Sequence, residues 1–203
     1  MEHNMLNVRM LDSPHSFAAN CYLISSAGEY AIVDPSTPYD PGLIDGKLKY
    51  VLLTHAHFDH ILDVDSWANA GAEVLISEDD REALPDPVRN CYKVYYGIEN
   101  GYYGEARGLT DGEIIKLGDT EIKMIKCPGH TIGCATYVCE DHAFVGDTLF
   151  AGGGFGRTDL PTSNFTMLRE SIFKLICLPD TITFYPGHGK FTTVKQYRRD
   201  IWI

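Results

Sequence analysis

Thr54–His60 reads THAHFDH and places His55, His57, Asp59 and His60 within six residues. Imidazole and carboxylate are good ligands for Zn²⁺ and Fe²⁺. With this composition, an H-x-H-x-D-H pattern has an expected chance count of about 0.001 in a chain of this length. His55 and His57 are two apart, so on an extended segment they point the same way. Asp59 and His60 follow where the chain is expected to turn into a helix, so they can face a neighbouring position. One loop can therefore serve two metals.

Three more candidates stand after apolar, strand-like runs. His130 lies in KCPGHT, Asp147 in AFVGDTLF and His188 in FYPGHG. Pro-Gly-His occurs twice. A single histidine at a strand end is usually structural. Several strand ends carrying His or Asp beside a dense His cluster point instead to a metal centre. The other histidines, His3 in the N-terminal tail, His15 in SPHSF and His142 in a hairpin turn, stay outside that set. There is no H-E-x-x-H, no P-loop and no G-x-S-x-G elbow. Gly152–Gly156 (GGGFG) lacks the lysine of a phosphate loop and reads as a tight excursion carrying backbone close to the site.

The elements that must hold these residues follow from periodicity. Asn20–Ser25 and Tyr30–Asp34 form a hairpin over the turn at Ser26–Glu29. Lys49–Thr54 is a nearly continuous apolar run, as in a strand buried on both faces, and it stops at His55. Ile61–Asn69 has helical spacing. Glu73–Ile76 is a short strand, and Ser77–Leu84 a short helix with Ser77 as N-cap. Pro85–Gly108, rich in Pro, Gly, Asn and Tyr, reads as a long irregular loop that shapes a pocket. Glu113–Leu117, Glu121–Lys126, Cys134–Glu140 and Ala143–Gly146 are short strands. Asn164–Cys177 is a helix capped by Asn164, Thr181–Tyr185 a buried strand, and Phe191–Arg199 a terminal helix or tail. The two halves share an order of strands, a buried strand ending in His, then a helix. That predicts an α/β architecture with much antiparallel sheet, in one domain spanning residues 1–203.

Composition narrows the function classes. The 203 residues carry 17 Lys+Arg against 28 Asp+Glu, a net charge of −11, which disfavours a phosphate-gripping nucleic-acid binder. No apolar run is long enough for a membrane helix, and Met1–Pro14 has no signal-like apolar core. The six cysteines include no C-x-x-C pair and sit largely in apolar stretches, as in Cys139 and Cys177. Buried free thiols and a reducing cytoplasm are expected.

HAHFDH, CPGHT, GDTLF and YPGHG, in that order, resemble the metallo-β-lactamase superfamily over essentially the whole chain. Within it the chain looks most like the glyoxalase II group, the hydroxyacylglutathione hydrolases, and GDTLFAGGGFGRTDL is the most telling stretch. The resemblance implies an αββα four-layer sandwich with mixed, largely antiparallel sheets and two metals at the rim between them. The first metal would take His55, His57 and His130; the second would take Asp59, His60 and His188; Asp147 would bridge. Asp34 would support these ligands from behind. His57 stands where flavodiiron-type members have Glu, and Asp147 where a bridging carboxylate is expected rather than the Cys of some β-lactamases. Full-length glyoxalase II enzymes add a helical domain that grips glutathione. The 15 residues after His188 are too few to build one, so the resemblance carries the catalytic machinery and not the glutathione specificity.

Two Zn²⁺ sharing a hydroxide would cleave a thioester or ester of a small-molecule substrate, with Asp59 orienting the nucleophile. The persulfide dioxygenases offer an alternative on the same scaffold, with one Fe²⁺ held by His55, His130 and Asp147. A structural zinc module is disfavoured, because such sites are closed and Cys-rich. A tRNA-processing nuclease is disfavoured by the charge and by the lack of a basic arm. Arg157 and Asp159, in GRTD, are expected to pair with each other.

Overall fold

Side-chain alternation sets the layers. Along β3 (Glu29–Val33) and β4 (Lys47–Leu52), Ile32 and Val51 point to one face. Their neighbours Ala31, Val33 and Leu52 point to the other. The first set packs with Val64 and Trp67 of α1 (Val64–Asn69). The second packs against a second sheet through Ile122, Met124, Tyr137 and Phe144. The computed structural model describes residues 6–202; His3 lies outside them.

The first sheet has the order β1-β2-β3-β4-β5-β6, with β1 (Asn7–Leu11), β2 (Cys21–Ser26), β5 (Glu73–Ser77) and β6 (Arg107–Leu109) around the central pair. β1, β2 and β3 are antiparallel, whereas β3 to β6 run parallel. The second sheet comprises β7 (Ile114–Leu117), β8 (Thr120–Lys126), β9 (Ala135–Cys139), β10 (His142–Gly146), β11 (Thr183–Pro186) and β12 (Thr192–Thr193). Its pairs are antiparallel except β10 with β11. Its outer face is covered by Leu168, Ile172 and Leu175 of α4 (Phe165–Ile176) and by Val194 and Tyr197 of α5 (Val194–Asp200). The layers are helix, sheet, sheet, helix, and the expected αββα sandwich stands.

Local chemistry explains where elements begin and end. Asn164 caps α4, its side-chain oxygen accepting from Met167 N at 3.0 Å. Thr193 caps α5 in the same way through Gln196 N. The expected Ser77 cap does not form: α2 is only Glu78–Arg81, and the buried Ser77 hydroxyl has no partner. Helix 61–69 starts late, because Phe58–His60 makes a tight 3-10 turn first. Residues 85–108 include one short helix, α3 (Tyr92–Tyr96), and end in β6. Five cysteines are buried free thiols, while Cys177 is exposed, contrary to its apolar sequence setting. Among the described residues no helix is long and apolar enough to cross a membrane.

Candidate metal centre

β3 and β4 end side by side, and their ends are tied by one carboxylate. Asp34 takes the left-handed backbone conformation at φ +49°, which Asp tolerates better than most residues. Its side chain accepts from Thr54 N at 2.8 Å and from the Thr54 hydroxyl at 2.7 Å. It also accepts from His60 Nδ1 at 2.9 Å. A carboxylate only accepts, so Nδ1 of His60 carries a proton in this bond, and Nε2 is the nitrogen left for a metal. His130, in the turn between β8 and β9, is set the same way: its Nδ1 donates to the Arg157 carbonyl at 2.9 Å. Asp34 thus occupies the supporting position expected of it.

The structure brings all seven predicted residues together. His55 Nε2 lies 3.1 Å from His57 Nδ1, which lies 2.9 Å from His130 Nε2. Asp59 Oδ2 lies 3.0 Å from His188 Nε2 and 3.8 Å from His60 Nε2. Asp147 stands between these groups. Its Oδ1 is 3.3 Å from His60 Nε2, and its Oδ2 is 3.6 Å from both His130 Nε2 and His188 Nε2. The first sheet supplies residues 55–60 and the second supplies His130, Asp147 and His188. His55, His57, His60, His130 and Asp147 are buried, while His188 is 42% exposed and stands at the mouth.

These donors fit a divalent cation. His60 Nε2 and Asp147 Oδ1 are buried without a hydrogen-bond partner, an arrangement that is costly unless something else satisfies them. Burial and the neighbouring imidazoles hold His55 well below the usual histidine range. Burial, then His130, pushes His57 down to about 3. Neutral imidazole is the form that binds metal. Burial also opposes a charge on His60, but Asp34, Asp59 and Asp147 outweigh it and raise its pKa well above normal. Carboxylates that favour a proton there favour a metal cation equally.

Close approach requires glycine at one flanking position. A Cβ on Gly187 would lie 2.2 Å from Asp147 Oδ1 and 2.5 Å from His60 Cε1.

Sequence reasoning missed Asp80. It is fully buried in α2 and accepts from Ala56 N at 3.0 Å, the Thr131 hydroxyl at 2.8 Å and Gly133 N at 3.2 Å. It therefore ties the His55–His60 loop to the His130 loop. Its sequence setting, SEDDRE, reads as an ordinary acidic first turn, so nothing there distinguishes it. His15 stays outside the cluster, paired with Asp63 at 2.9 Å. Arg157 and Asp159 pair as expected, and Arg157 also donates to Tyr95 Oη at 2.9 Å. The centre opens into a cavity of about 800 Å³ whose wall includes Tyr95, Tyr96 and the unforeseen Phe17.

An αββα sandwich with a His/Asp cluster at the junction of its sheets defines a metal-dependent class. Residues 16–188 match the metallo-beta-lactamase superfamily (Lactamase_B), and the chain belongs to it. It is 34% identical over 200 residues to the hydroxyacylglutathione hydrolase GloC of Haemophilus influenzae, covering 91% of this chain and 92% of that one. Among solved structures it is similar to the BLEG-1 B3 metallo-beta-lactamase (TM-score 0.86, 29% identity, 95% of this chain and 97% of that one). It is also similar to TTHA1623 in a di-iron-bound form (TM-score 0.78, 25% identity, 94% and 97%).

Proposed function

We propose that the chain is a two-metal hydrolase of small-molecule thioesters or esters, with zinc as the cation and an activity like that of a hydroxyacylglutathione hydrolase. The observation that supports this reading is a run of three overlapping donor triads, in which His55–His60–Asp147 links His55–His57–His130 to Asp59–His60–His188. His55, His57 and His130 would hold one cation, and Asp59, His60 and His188 the other. A cation pair there would supply Lewis acidity, acidifying water near neutral pH and polarising a carbonyl. Asp59 Oδ2, at the partly exposed side of the cluster, would accept a hydrogen bond from the attacking water and orient it. Attack forms a new C–O bond and breaks the C–S or C–O bond of the substrate. The acyl part leaves as an acid, and the thiol or alcohol takes up a proton. The net charge of −11 favours a small molecule over nucleic acid as ligand. The buried free thiols suit a reducing cytoplasm.

The di-iron form of TTHA1623 favours iron as a second reading of the metal. A single iron on His55, His130 and Asp147, oxidising a persulfide, would leave Asp59, His60 and His188 without a role. Elemental analysis of the purified protein separates these cases. About two zinc per chain, with turnover in a thioester panel that includes lactoylglutathione, is the expected result. One iron per chain, with oxygen consumption on persulfides, would overturn the hydrolase.

A further inference from the structure

His60 and His130 are aimed by acceptors at their Nδ1 atoms. His188 stands 42% exposed at the mouth, and it is held through the main chain on either side of it. The carbonyls of Pro186, Gly187 and Gly189 all accept hydrogen bonds from the other sheet, from Asn20 just before β2 and from Tyr22 within it. Asn20 N donates to Gly187 O at 2.6 Å. Asn20 Nδ2 donates to Pro186 O at 3.0 Å and to Gly189 O at 2.9 Å. The hydroxyl of the buried Tyr22 donates to Pro186 O at 2.7 Å.

One residue earlier, Ala19 N donates to Asp59 O at 3.1 Å. The Ser36 hydroxyl in turn donates to Ala19 O at 2.7 Å and anchors the segment. Residues 19–22 therefore join the loop of Asp59 to the loop of His188, two donors of one triad. Asp80 does the same for the triad of His55, His57 and His130. Its carboxylate accepts from Ala56 N, between two of those donors, and from Thr131 and Gly133, just after the third. The two clips share no residue, and each ties a donor loop of the first sheet to one of the second.

Resting on the two-metal reading above, we propose that Asn20 is the positioning residue of the Asp59–His60–His188 triad, as Asp80 is of the His55–His57–His130 triad, so that the two cations are supported separately. Neither side chain is itself a donor. Each acts by fixing the spacing of loops whose donors must converge on a cation to within about 0.5 Å. An amide suits position 20, because Nδ2 offers two protons to two carbonyls. A carboxylate only accepts, so Asn20→Asp keeps the shape and sets oxygen against oxygen.

Zinc competition against a chromophoric chelator tests this on the purified protein. The unaltered chain is expected to hold two zinc. Asn20→Ala is expected to weaken one of them by about tenfold and leave the other within about twofold, and Asn20→Asp to weaken the same ion further. A cycle with a donor variant shows which ion it is. His188→Ala leaves the first triad complete. Adding Asn20→Ala should then change nothing, whereas adding Asp80→Asn should weaken the remaining ion by about tenfold or more. Thr131→Val, which removes one donor to Asp80, tests the same direction where Asp80→Asn does not fold. Equal weakening of both ions in Asn20→Ala, no weakening of either, or an effect that persists in His188→Ala overturns the proposal. Amide hydrogen exchange on the metal-free protein keeps it apart from the two-metal reading. Asn20→Ala is expected to speed exchange across residues 187–190 by at least about fivefold, and unchanged exchange overturns the role of Asn20. If the unaltered protein binds one cation while that exchange quickens, the two-metal reading fails and the positioning role stands.

Discussion

The imidazole of His130 is aimed by the main chain of Arg157: Nδ1 donates to that residue's carbonyl at 2.9 Å. The side chain of Arg157 points elsewhere, to Asp159 and Tyr95. One residue therefore serves the centre through its backbone and the cavity wall through its guanidinium, and the two roles can be separated by mutation. Arg157→Ala is expected to leave metal stoichiometry intact while shifting KM several-fold. Loss of metal in this variant would show that the side chain, too, supports His130.

Asp59 is the donor whose loss should separate chemistry from folding. It sits at the open side of the cluster and contacts His188 at 3.0 Å. Asp59→Asn keeps the shape and removes the charge. We expect kcat to fall by about a hundredfold or more with a melting temperature within a few degrees of the parent. A variant with parental kcat would remove Asp59 from the reaction.

Asp34 touches no site where a substrate could sit, yet it orients His60 and pins Thr54. Replacing such a supporting carboxylate costs metal affinity by roughly 10–100-fold. Asp34→Asn should therefore show weaker zinc binding in a chelator competition, with activity partly restored by excess zinc. Unaltered affinity would assign Asp34 to folding alone.

Metal removal and pH act on the same donors. At a free metal concentration about a hundred times Kd, one bound ion stabilises the fold by roughly 2.7 kcal/mol, or about 5–10 °C in a chain of this size. Chelation is expected to lower the melting temperature by at least that much, and zinc to restore it. In the metal-free fold, burial opposes charge on His60 and on His188. Nearby carboxylates outweigh burial, and both pKa values rise above the usual histidine value. A cation must then displace those protons at neutral pH. Affinity is expected to increase with pH through the neutral range, by about tenfold per unit for each proton released. His55 and His57, held neutral, add no slope there. Titration calorimetry in buffers of different ionisation heat counts the protons, and a pH-independent affinity would contradict the account.

The donors were legible because their chemistry leaves a dense mark: one six-residue cluster, and single His or Asp residues placed just beyond apolar strands. β4 and β11 were legible for the same reason, as apolar runs that stop abruptly. Elements made by pairing rather than by pattern were not. β1 has only partly buried or exposed residues and is a strand because β2 hydrogen-bonds to it. β6 is three residues long with Gly108 at its centre, so it carries almost no periodicity. Asp80 escaped because its importance lies in three donors that come from distant loops. Short-range patterning does not report such contacts. The cavity wall was legible in part: the tyrosines of residues 85–108 stood out by composition, whereas Phe17 came from a stretch with no periodicity.

The order of the donors along the chain has a consequence for synthesis. His188 comes last, just after β11, the strand that pairs in parallel with β10. A growing polypeptide exposes the HAHFDH loop long before the residue that completes its second donor group. The triad of His55, His57 and His130 is complete before β11 is made, so a cation there would not wait for the end of the chain. The triad of Asp59, His60 and His188 lacks a donor until β11 has joined β10, so a second cation would be held only after the first, when the second sheet closes.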